Sequence, residues 1–354
     1  MILTGGPSIT EKEISYVTDA VTNGWNEHHS DYVHRFEEEF ARYVGSKYAY
    51  STTGGTQAIW LSLAALNIGA GDEVILPDLT YFACSDDIKL VGATPVFVDI
   101  LASTWCIDPE KVRKAITPRT KAIMPVWLYG NAPEMHEIIK IARENNLFVV
   151  EDACPAVGTF YKNKHAGTFG NTGCFSFHGA KIMTTGFGGM VVTDDKDLYE
   201  RIVFLDDHGE NKKLPFRFWQ EEVGYSTYMH NLNAALGLAQ IERIEELVSK
   251  KRQIFDWYKE FGVDVLNFEQ DGVRTNKWLP SIMSEDRDTL MTKLREAGID
   301  TRPFFFPISM FPMYKEQNNI NSHYAGLRGI NLPSGYQRTK EDIKFICESI
   351  RKLL

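Results

Sequence analysis

From about residue 34 to residue 205, short apolar runs alternate with stretches of helical periodicity, and this order limits the fold more than any other feature of the chain. Glu73-Val74-Ile75-Leu76-Pro77, Thr94-Pro95-Val96-Phe97-Val98-Asp99, Lys121-Ala122-Ile123-Met124-Pro125-Val126 and Leu147-Phe148-Val149-Val150-Glu151-Asp152 read as strands. Tyr32 to Val44, Thr56 to Leu66, Ala83 to Val91 and Glu134 to Asn145 read as helices; in the first, Val33, Phe36, Phe40 and Tyr43 recur at helical spacing. Strands that are apolar throughout and separated by helices predict a mostly parallel sheet covered on both faces, hence an α/β fold.

The pattern changes near residue 231. Up to about Phe261, Leu236, Ile241, Ile244, Leu247, Ile254, Trp257 and Phe261 fall on one face of one or two long helices. Beyond it, Lys277 to Ile282 reads as a strand, Arg287 to Ala297 as a helix and Thr339 to Leu354 as a closing helix. The expected division is a large α/β unit over residues 1–240, then a linking helix with a small α+β unit over 241–354. A chain of 354 residues, 44% hydrophobic and 24% charged, is long enough for both.

Several function classes are excluded. The net charge of -9 and the lack of a long basic run argue against nucleic acid. The densest basic stretch, Lys250-Lys251-Arg252, follows acidic residues on the long helix and reads as a solvated face. Cys84, Cys106, Cys154, Cys174 and Cys347 are widely spaced, with no C-x-x-C pair; neither a zinc site nor a disulfide framework is expected, and a reducing cytoplasm fits best. No charged segment followed by an apolar one opens the chain, and no apolar run approaches 18 residues, so neither a signal peptide nor a membrane span is expected.

Strand ends matter most in an open parallel sheet, because ligands bind beyond their carboxyl ends. Asp152 ends the most apolar strand. An acid there is a metal ligand, a ribose anchor or the partner of a protonated ring nitrogen, and no His and carboxylate cluster accompanies it to hold a metal. Lys181 lies 29 residues downstream, in Cys174-Phe175-Ser176-Phe177-His178-Gly179-Ala180-Lys181-Ile182-Met183-Thr184-Thr185-Gly186, with no acid within nine positions on either side. A poorly solvated, unpaired amine has a lowered pKa and is available as a nucleophile or Schiff-base former; the alternative is a surface lysine after a buried strand. A lysine Schiff base with a carboxylate on a pyridinium nitrogen is what pyridoxal phosphate requires. Ser51-Thr52-Thr53-Gly54-Gly55-Thr56 runs straight into a helix, whose N-terminus with Ser176 can cradle a phosphate; such a turn can equally be a plain cap. Gly186-Phe187-Gly188-Gly189 lacks the G-x-G-x-x-G spacing of a dinucleotide site.

Asp152, the run Phe175 to Lys181, Gly188-Gly189-Met190 and Tyr228-Met229-His230-Asn231-Leu232-Asn233-Ala234-Ala235-Leu236-Gly237 resemble the DegT/DnrJ/EryC1/StrS sugar aminotransferase family, and Pro77-Asp78-Leu79-Thr80-Tyr81 and Leu332-Pro333-Ser334 fit it too. The resemblance covers essentially the whole chain and is nearest to the GDP-perosamine synthase subgroup, which shares Phe-Ser-Phe-His-Gly-x-Lys. It implies a fold-type I pyridoxal-phosphate enzyme with a large mixed, mostly parallel sheet and a smaller C-terminal α+β domain. It also implies amino transfer from glutamate to a nucleotide-linked 4-keto-6-deoxy sugar, with pyridoxamine phosphate as the intermediate form. Lys181 then carries the cofactor and moves the proton, and Asp152 faces the pyridine nitrogen. Gly55, Thr56 and Ser176 hold the phosphate, Tyr81 stacks on the ring, and Asn233 reaches the neighbouring subunit's cofactor in a homodimer with shared active sites. His178, His208 and Arg302 are the expected sugar contacts, with His208 in a loop over the site.

Several positions depart from the family pattern, among them Ser226 and Thr227 in place of basic residues. Pro155 stands where a hydrogen-bonding side chain is usual, Phe187 where a glutamate is, Tyr228 where an arginine is, and Trp127 where a smaller or acidic residue is. Two rival readings follow. One is a nucleotide-sugar 3-dehydratase, against which the retained Lys181 argues; the other is a non-catalytic, cofactor-bound regulatory protein, which Pro155, Phe187 and Tyr228 keep open.

Overall fold

A computed structural model describes residues 1–266, 271–315 and 317–353. The apolar runs assemble into one seven-stranded sheet: β1 (Tyr48–Thr52), β2 (Glu73–Pro77), β3 (Thr94–Val98), β4 (Thr120–Ile123), β5 (Phe148–Asp152), β8 (Thr172–Ser176) and β9 (Gly189–Thr193). The short β6 (Phe160–Tyr161) and β7 (Lys164–His165) form a hairpin between β5 and β8. The sheet order is β1-β9-β8-β5-β4-β2-β3, and β9 alone runs against its neighbours. A mixed, mostly parallel α/β sheet is therefore what the alternation builds.

The helices α1 (Glu11–Asn23), α2 (Asp31–Val44), α3 (Gly55–Ala65), α4 (Ala83–Leu90), α5 (Pro109–Ala115), α6 (Met135–Glu144) and α7 (Lys196–Asp206) belong to this part of the chain. The four expected from periodicity start and stop within one residue of their expected bounds, a usual margin for helix ends. The strand expected over Lys121 to Val126 is shorter. It stops at Ile123, because Pro125 has no N–H to continue the ladder, and Val126 makes only an isolated bridge to Asp152.

The long helical stretch is two helices, α8 (Asn231–Ile241) and α9 (Ile244–Glu260). α8 lies among α1 and α2 and is buried nearly all round. α9 joins two apolar clusters. Its Ile244, Leu247 and Val248 enter the core of the large sheet. Its Ile254, Phe255 and Tyr258 enter a second cluster with Leu290 and Leu294 of α10 (Arg287–Glu296) and Ile343, Ile346 and Ile350 of α12 (Lys340–Leu353). Leu354, with which the closing helix was expected to end, lies outside the described residues.

The second cluster sits on a small antiparallel sheet, ordered β11 (Ser281–Met283), β13 (Gly329–Asn331), β12 (Arg302–Pro303), with β10 (Val273–Arg274) joining β6. The strand expected over Lys277 to Ile282 begins only at Ser281, since Lys277 is left-handed (φ 54°) and Pro280 has no N–H. The helix α11 (Ile320–Arg328) was not foreseen.

The basic run on α9 is not a solvated face. Lys251 is 2% exposed, on the same stripe as Leu247, Ile254 and Tyr258.

Candidate active site

A cavity of about 340 Å³ opens beyond the carboxyl ends of β2, β5 and β8, where an open parallel sheet places its ligands. Asp152, Lys181, Gly55, Thr56, Ser176 and Tyr81 all line it, as do His178 and Arg302. These eight residues, from five separate segments of sequence, are thereby brought to one hollow.

The two acids at the end of β5 have different fates because successive strand side chains face opposite sides. Glu151 points away from the cavity and accepts from Trp127 Nε1, Gly167 N, Phe169 N and Gly170 N at 2.6–3.0 Å. Burial pushes its carboxyl up to about 7 against those four donors. Trp127, the unusual residue at its position, is fully buried and serves Glu151 rather than the cavity. Asp152 faces the cavity floor and is 4% exposed. Its Oδ1 accepts from Cys154 N at 3.0 Å and its Oδ2 from Cys84 Sγ at 3.1 Å. Burial, reinforced by Asp152 itself, pushes both thiols well above their ordinary range, so each stands as a neutral S–H.

Lys181 sits in a turn after β8, its N–H donating to His178 O at 2.9 Å. Among the described residues no hydrogen bond or ion pair reaches its Nζ, which lies 4.2 Å from the centre of the Trp278 ring. Lys181 is half-buried and lines the cavity. Burial lowers its pKa; the nearby Cys154 and Asp152 pull the other way and do not cancel it. An amine without a hydrogen-bond acceptor, above a buried carboxylate, is a site for an aldehyde that must be held over an acid.

The phosphate end is built by α3. Its N-cap Gly54 is extended and offers no side-chain cap, leaving the first-turn N–H groups to face an anion. Ser176, at the end of β8, closes on the same turn. A Cβ at Gly55 would stand 2.8 Å from Ser176 Cβ and 2.8 Å from Cys154 Sγ, so only glycine lets helix and strand approach this closely. Thr52 Oγ1 donates to Gly54 O at 2.9 Å and fixes the turn before the helix. These residues fit pyridoxal phosphate: an unpaired amine, a carboxylate beneath, and an uncapped helix start with a hydroxyl beside it.

The mouth is aromatic. The Tyr81 and Phe305 ring centres are 5.5 Å apart, and Phe187, 59% exposed, stands edge-on to His178 at 5.8 Å. His178 Nδ1 accepts from Ala180 N at 3.3 Å, which places the neutral ring's hydrogen on Nε2. Burial, then the charges of Lys181 and Arg302, lower its pKa and favour that neutral form. Pro155 lines the cavity and offers no side-chain donor or acceptor there, while its carbonyl accepts from Asn276 Nδ2 at 2.8 Å.

Two expected site residues are not at this cavity. Asn233 donates from Nδ2 to Thr185 O at 2.8 Å, on the outer side of the Gly186 turn. His208 is exposed, with φ 59°, in the segment after α7, and its carbonyl accepts from Gln220 Nε2. Tyr228 lies on the outside too, half-exposed and edge-on to His230. Conversely, Trp278, Cys84 and Cys154 are at the centre of the site and were not foreseen from sequence. Cys84 follows Tyr81 by one helical turn, which is a usable signal; Trp278 arrives from a distant loop with no motif around it.

The fold and cavity together define a lysine-and-carboxylate site on a mixed α/β sheet, the arrangement of a pyridoxal-phosphate enzyme. Residues 7–351 match the model of the DegT/DnrJ/EryC1/StrS aminotransferase family, and the chain belongs to that family. It is 41% identical over 353 residues to GDP-perosamine synthase of Escherichia coli O157:H7, covering 98% of this chain and 96% of that one. It is 36% identical to GDP-perosamine synthase of Caulobacter vibrioides, covering 100% and 98% of the two chains. Among solved structures, that described as "Putative sugar aminotransferase Spr1654 from Streptococcus pneumoniae, PMP-form" superposes with a TM-score of 0.92 at 28% identity, covering 99% and 97%. The protein is thus a pyridoxal-phosphate-dependent aminotransferase, a transferase of fold-type I, with pyridoxamine phosphate as the cofactor's second form. Among the described residues no helix is long and apolar enough to cross a membrane, and no cluster of three or more metal-ligating side chains occurs.

Proposed function

We propose that this aminotransferase moves an amino group from glutamate to a nucleotide-linked 4-keto-6-deoxy sugar, the reaction of a GDP-perosamine synthase. The observation that carries this reading is the Lys181 amine, unpaired and facing a cavity whose floor is Asp152, in a chain 41% identical to a GDP-perosamine synthase. Pyridoxal phosphate supplies an aldehyde that condenses with amines and a ring that takes up electrons from the bond being broken. The chain's residues do the rest. Lys181 Nζ would hold the cofactor's aldehyde end and, as an amine of lowered pKa, would move the proton at the substrate carbon. The Asp152 carboxylate would accept the ring N–H. The N–H groups of Gly55 and Thr56 and the Ser176 hydroxyl would hold the phosphate, and Tyr81 would cover the ring. His178 Nε2–H donates to a sugar oxygen, and Arg302 meets the anionic part of the substrate or donor.

Asn233 and His208 fit the same reading from outside. In a homodimer each would serve the partner's site, and exposed Phe216, Phe218 and Trp219 in the segment carrying His208 supply apolar surface for such a contact. A cytoplasmic setting, and a division of the chain near residue 240 into a cofactor-binding part and a smaller C-terminal part, complete the proposal. Loading with pyridoxal phosphate should turn the protein yellow, and borohydride should fix the cofactor to Lys181. A Lys181→Ala protein that still aminated a keto sugar from glutamate would overturn the reading. A mass-spectrometric screen of GDP-, dTDP- and UDP-linked keto sugars decides the substrate: amine gain supports transfer, whereas loss of water with release of ammonia would point to the dehydratase.

A further inference from the structure

The turn that carries Lys181 is gripped on both sides. Ala180 O accepts from Trp278 Nε1 at 2.7 Å, and Ile182 O accepts from Tyr336 OH at 2.5 Å. Trp278 therefore does two things: its N–H holds the residue before Lys181, and its ring lies against the Lys181 amine. Neither grip belongs to the elements that carry Lys181. Both come from the segments around 278 and 333–336, and those are held from behind by α9.

The link is a continuous set of buried hydrogen bonds. Trp278 O accepts from Ser334 Oγ at 2.9 Å. Lys251 Nζ donates to Ser334 O at 2.6 Å and meets Ser334 Oγ at 3.3 Å. Tyr258, two helical turns further along α9, donates to Pro333 O at 2.8 Å. The Tyr336 ring lies 4.6 Å from Lys251 Nζ. Lys251, Ser334 and Tyr258 are each no more than 2% exposed, so water does not offer these groups alternative partners. No carboxylate pairs with Lys251 among the described residues; the titratable groups on this path are Tyr336, whose ring it faces, and Tyr258, bonded to Pro333 O. A buried ammonium given up to two oxygens of a single serine is an expensive way to hold a turn, unless the position of that turn matters.

We propose that Lys251 is a positioning residue for the cofactor-bearing lysine, acting through Ser334 on Trp278 and Tyr336. The ammonium fixes Ser334, Ser334 fixes the Trp278 backbone, and Trp278 and Tyr336 fix the peptide units on either side of Lys181. Burial holds the Lys251 pKa down to about 7, so the grip changes from ammonium to neutral amine within the working pH range of most enzymes. The inference rests on Lys181 being the residue that takes the cofactor; the Lys181→Ala experiment above tests that separately.

The test uses the cofactor-loaded protein and its visible absorbance. In Lys251→Met the pH midpoint of that absorbance should move by at least about half a unit, with kcat reduced several-fold and KM for glutamate little changed. Lys251→Arg, which restores a cation, should recover part of the shift. Ser334→Ala keeps the buried ammonium and its carbonyl partner but removes the hydroxyl link to Trp278, and it should move the midpoint in the same direction. It keeps the test alive if Lys251→Met does not fold. Leu294→Ala in the second apolar cluster supplies a control with lowered melting temperature and an unaltered midpoint. If Ser334→Ala and the Lys251 variants only lose stability, with spectrum and midpoint as in the wild type, the positioning role is wrong. If no variant nor the wild type forms a visible band, the assignment of Lys181 itself has failed.

Discussion

Lys181 and Lys251 are both amines withdrawn from water with no carboxylate paired to them among the described residues, yet their surroundings differ in kind. Lys181 faces a cavity, has no hydrogen-bond acceptor at Nζ among the described residues, and senses the charge of Asp152. Lys251 is buried and is engaged by Ser334 O and Oγ. Burial lowers both pKa values, so a lowered pKa alone does not mark a nucleophile. What separates them is access and an unmet hydrogen-bonding capacity: one amine is left for a ligand, the other is used up by the fold.

The largest effect should come from removing the amine that is left free. Lys181→Ala should slow amino-group uptake from glutamate by roughly a thousandfold or more, the range expected when a positioned proton carrier is lost. Single-turnover absorbance of the loaded protein measures it. A variant Lys251→Ala that lost as much would break the contrast between the two. Next in size is Asp152→Asn, which keeps the shape and removes the charge facing the cavity floor. Cofactor affinity should fall by about 3 kcal/mol, on the order of a hundredfold, because the ring nitrogen's proton loses its counter-charge. Titration of the cofactor-free protein with pyridoxal phosphate would show it, and unchanged affinity would mean that Asp152 does not face the ring nitrogen.

The two lysines also show what the sequence makes legible. Asp152 is readable because an acid at the end of an apolar strand can only lie at the sheet's carboxyl edge. Lys181 is readable because no acid stands near it in sequence, and the turn from Thr53 to Thr56 because glycines precede a helix. Trp278 and Tyr336 are different. They reach the site by crossing from the far end of the chain, and nothing local in their segments records it. Phe187 and Pro155 were noticed as departures, and the structure puts both at the cavity. Lys251 was open to detection and was misread. Its neighbours on α9 recur at 244, 247, 248, 254, 255 and 258, and position 251 fills the one gap in that stripe. Composition suggested a solvated basic run; periodicity, followed through, requires one of its three members to point inward.

The pH dependence of stability separates the inward lysine from other groups. A base whose folded pKa is depressed binds fewer protons folded than unfolded between its two pKa values, so stability rises with pH across that window. For Lys251 the window runs from about 7 in the folded protein up to about 10.4 in the unfolded chain, and the contribution is at most about 1.4 kcal/mol per pH unit. Glu37 and Glu151, pushed up to about 7, and Asp87, pushed up to about 8, act in the opposite sense, because burial makes the folded protein hold their protons longer. The informative quantity is therefore a difference. Urea unfolding of wild type and Lys251→Met at pH 7.0 and pH 8.5, the foot and about the middle of the Lys251 window, should show a gain with pH that is larger in the wild type. Equal gains would mean that Lys251 is better solvated than its burial implies.

The smallest effect belongs to Lys250, and it closes the comparison. One residue along a helix is a turn of about 100°, so Lys250 and Lys251 cannot share a face. Lys250 Nζ reaches Gln253 Oε1 at 3.1 Å and lies 4.5 Å from the centre of the Trp257 ring, all on the outer side of α9. Such partly solvated contacts are each worth a few tenths of a kcal/mol, and alanine is the better helix former. Lys250→Ala should therefore change stability by no more than about 0.5 kcal/mol and leave the visible absorbance of the loaded protein untouched. Below pH 7, where Lys251 too is charged, a spectral shift in Lys250→Ala equal to that in Lys251→Met would show that loss of positive charge on α9, rather than the hydrogen bonds from Lys251 to Ser334, governs the site, since both variants then remove a charge and only one of them removes the link.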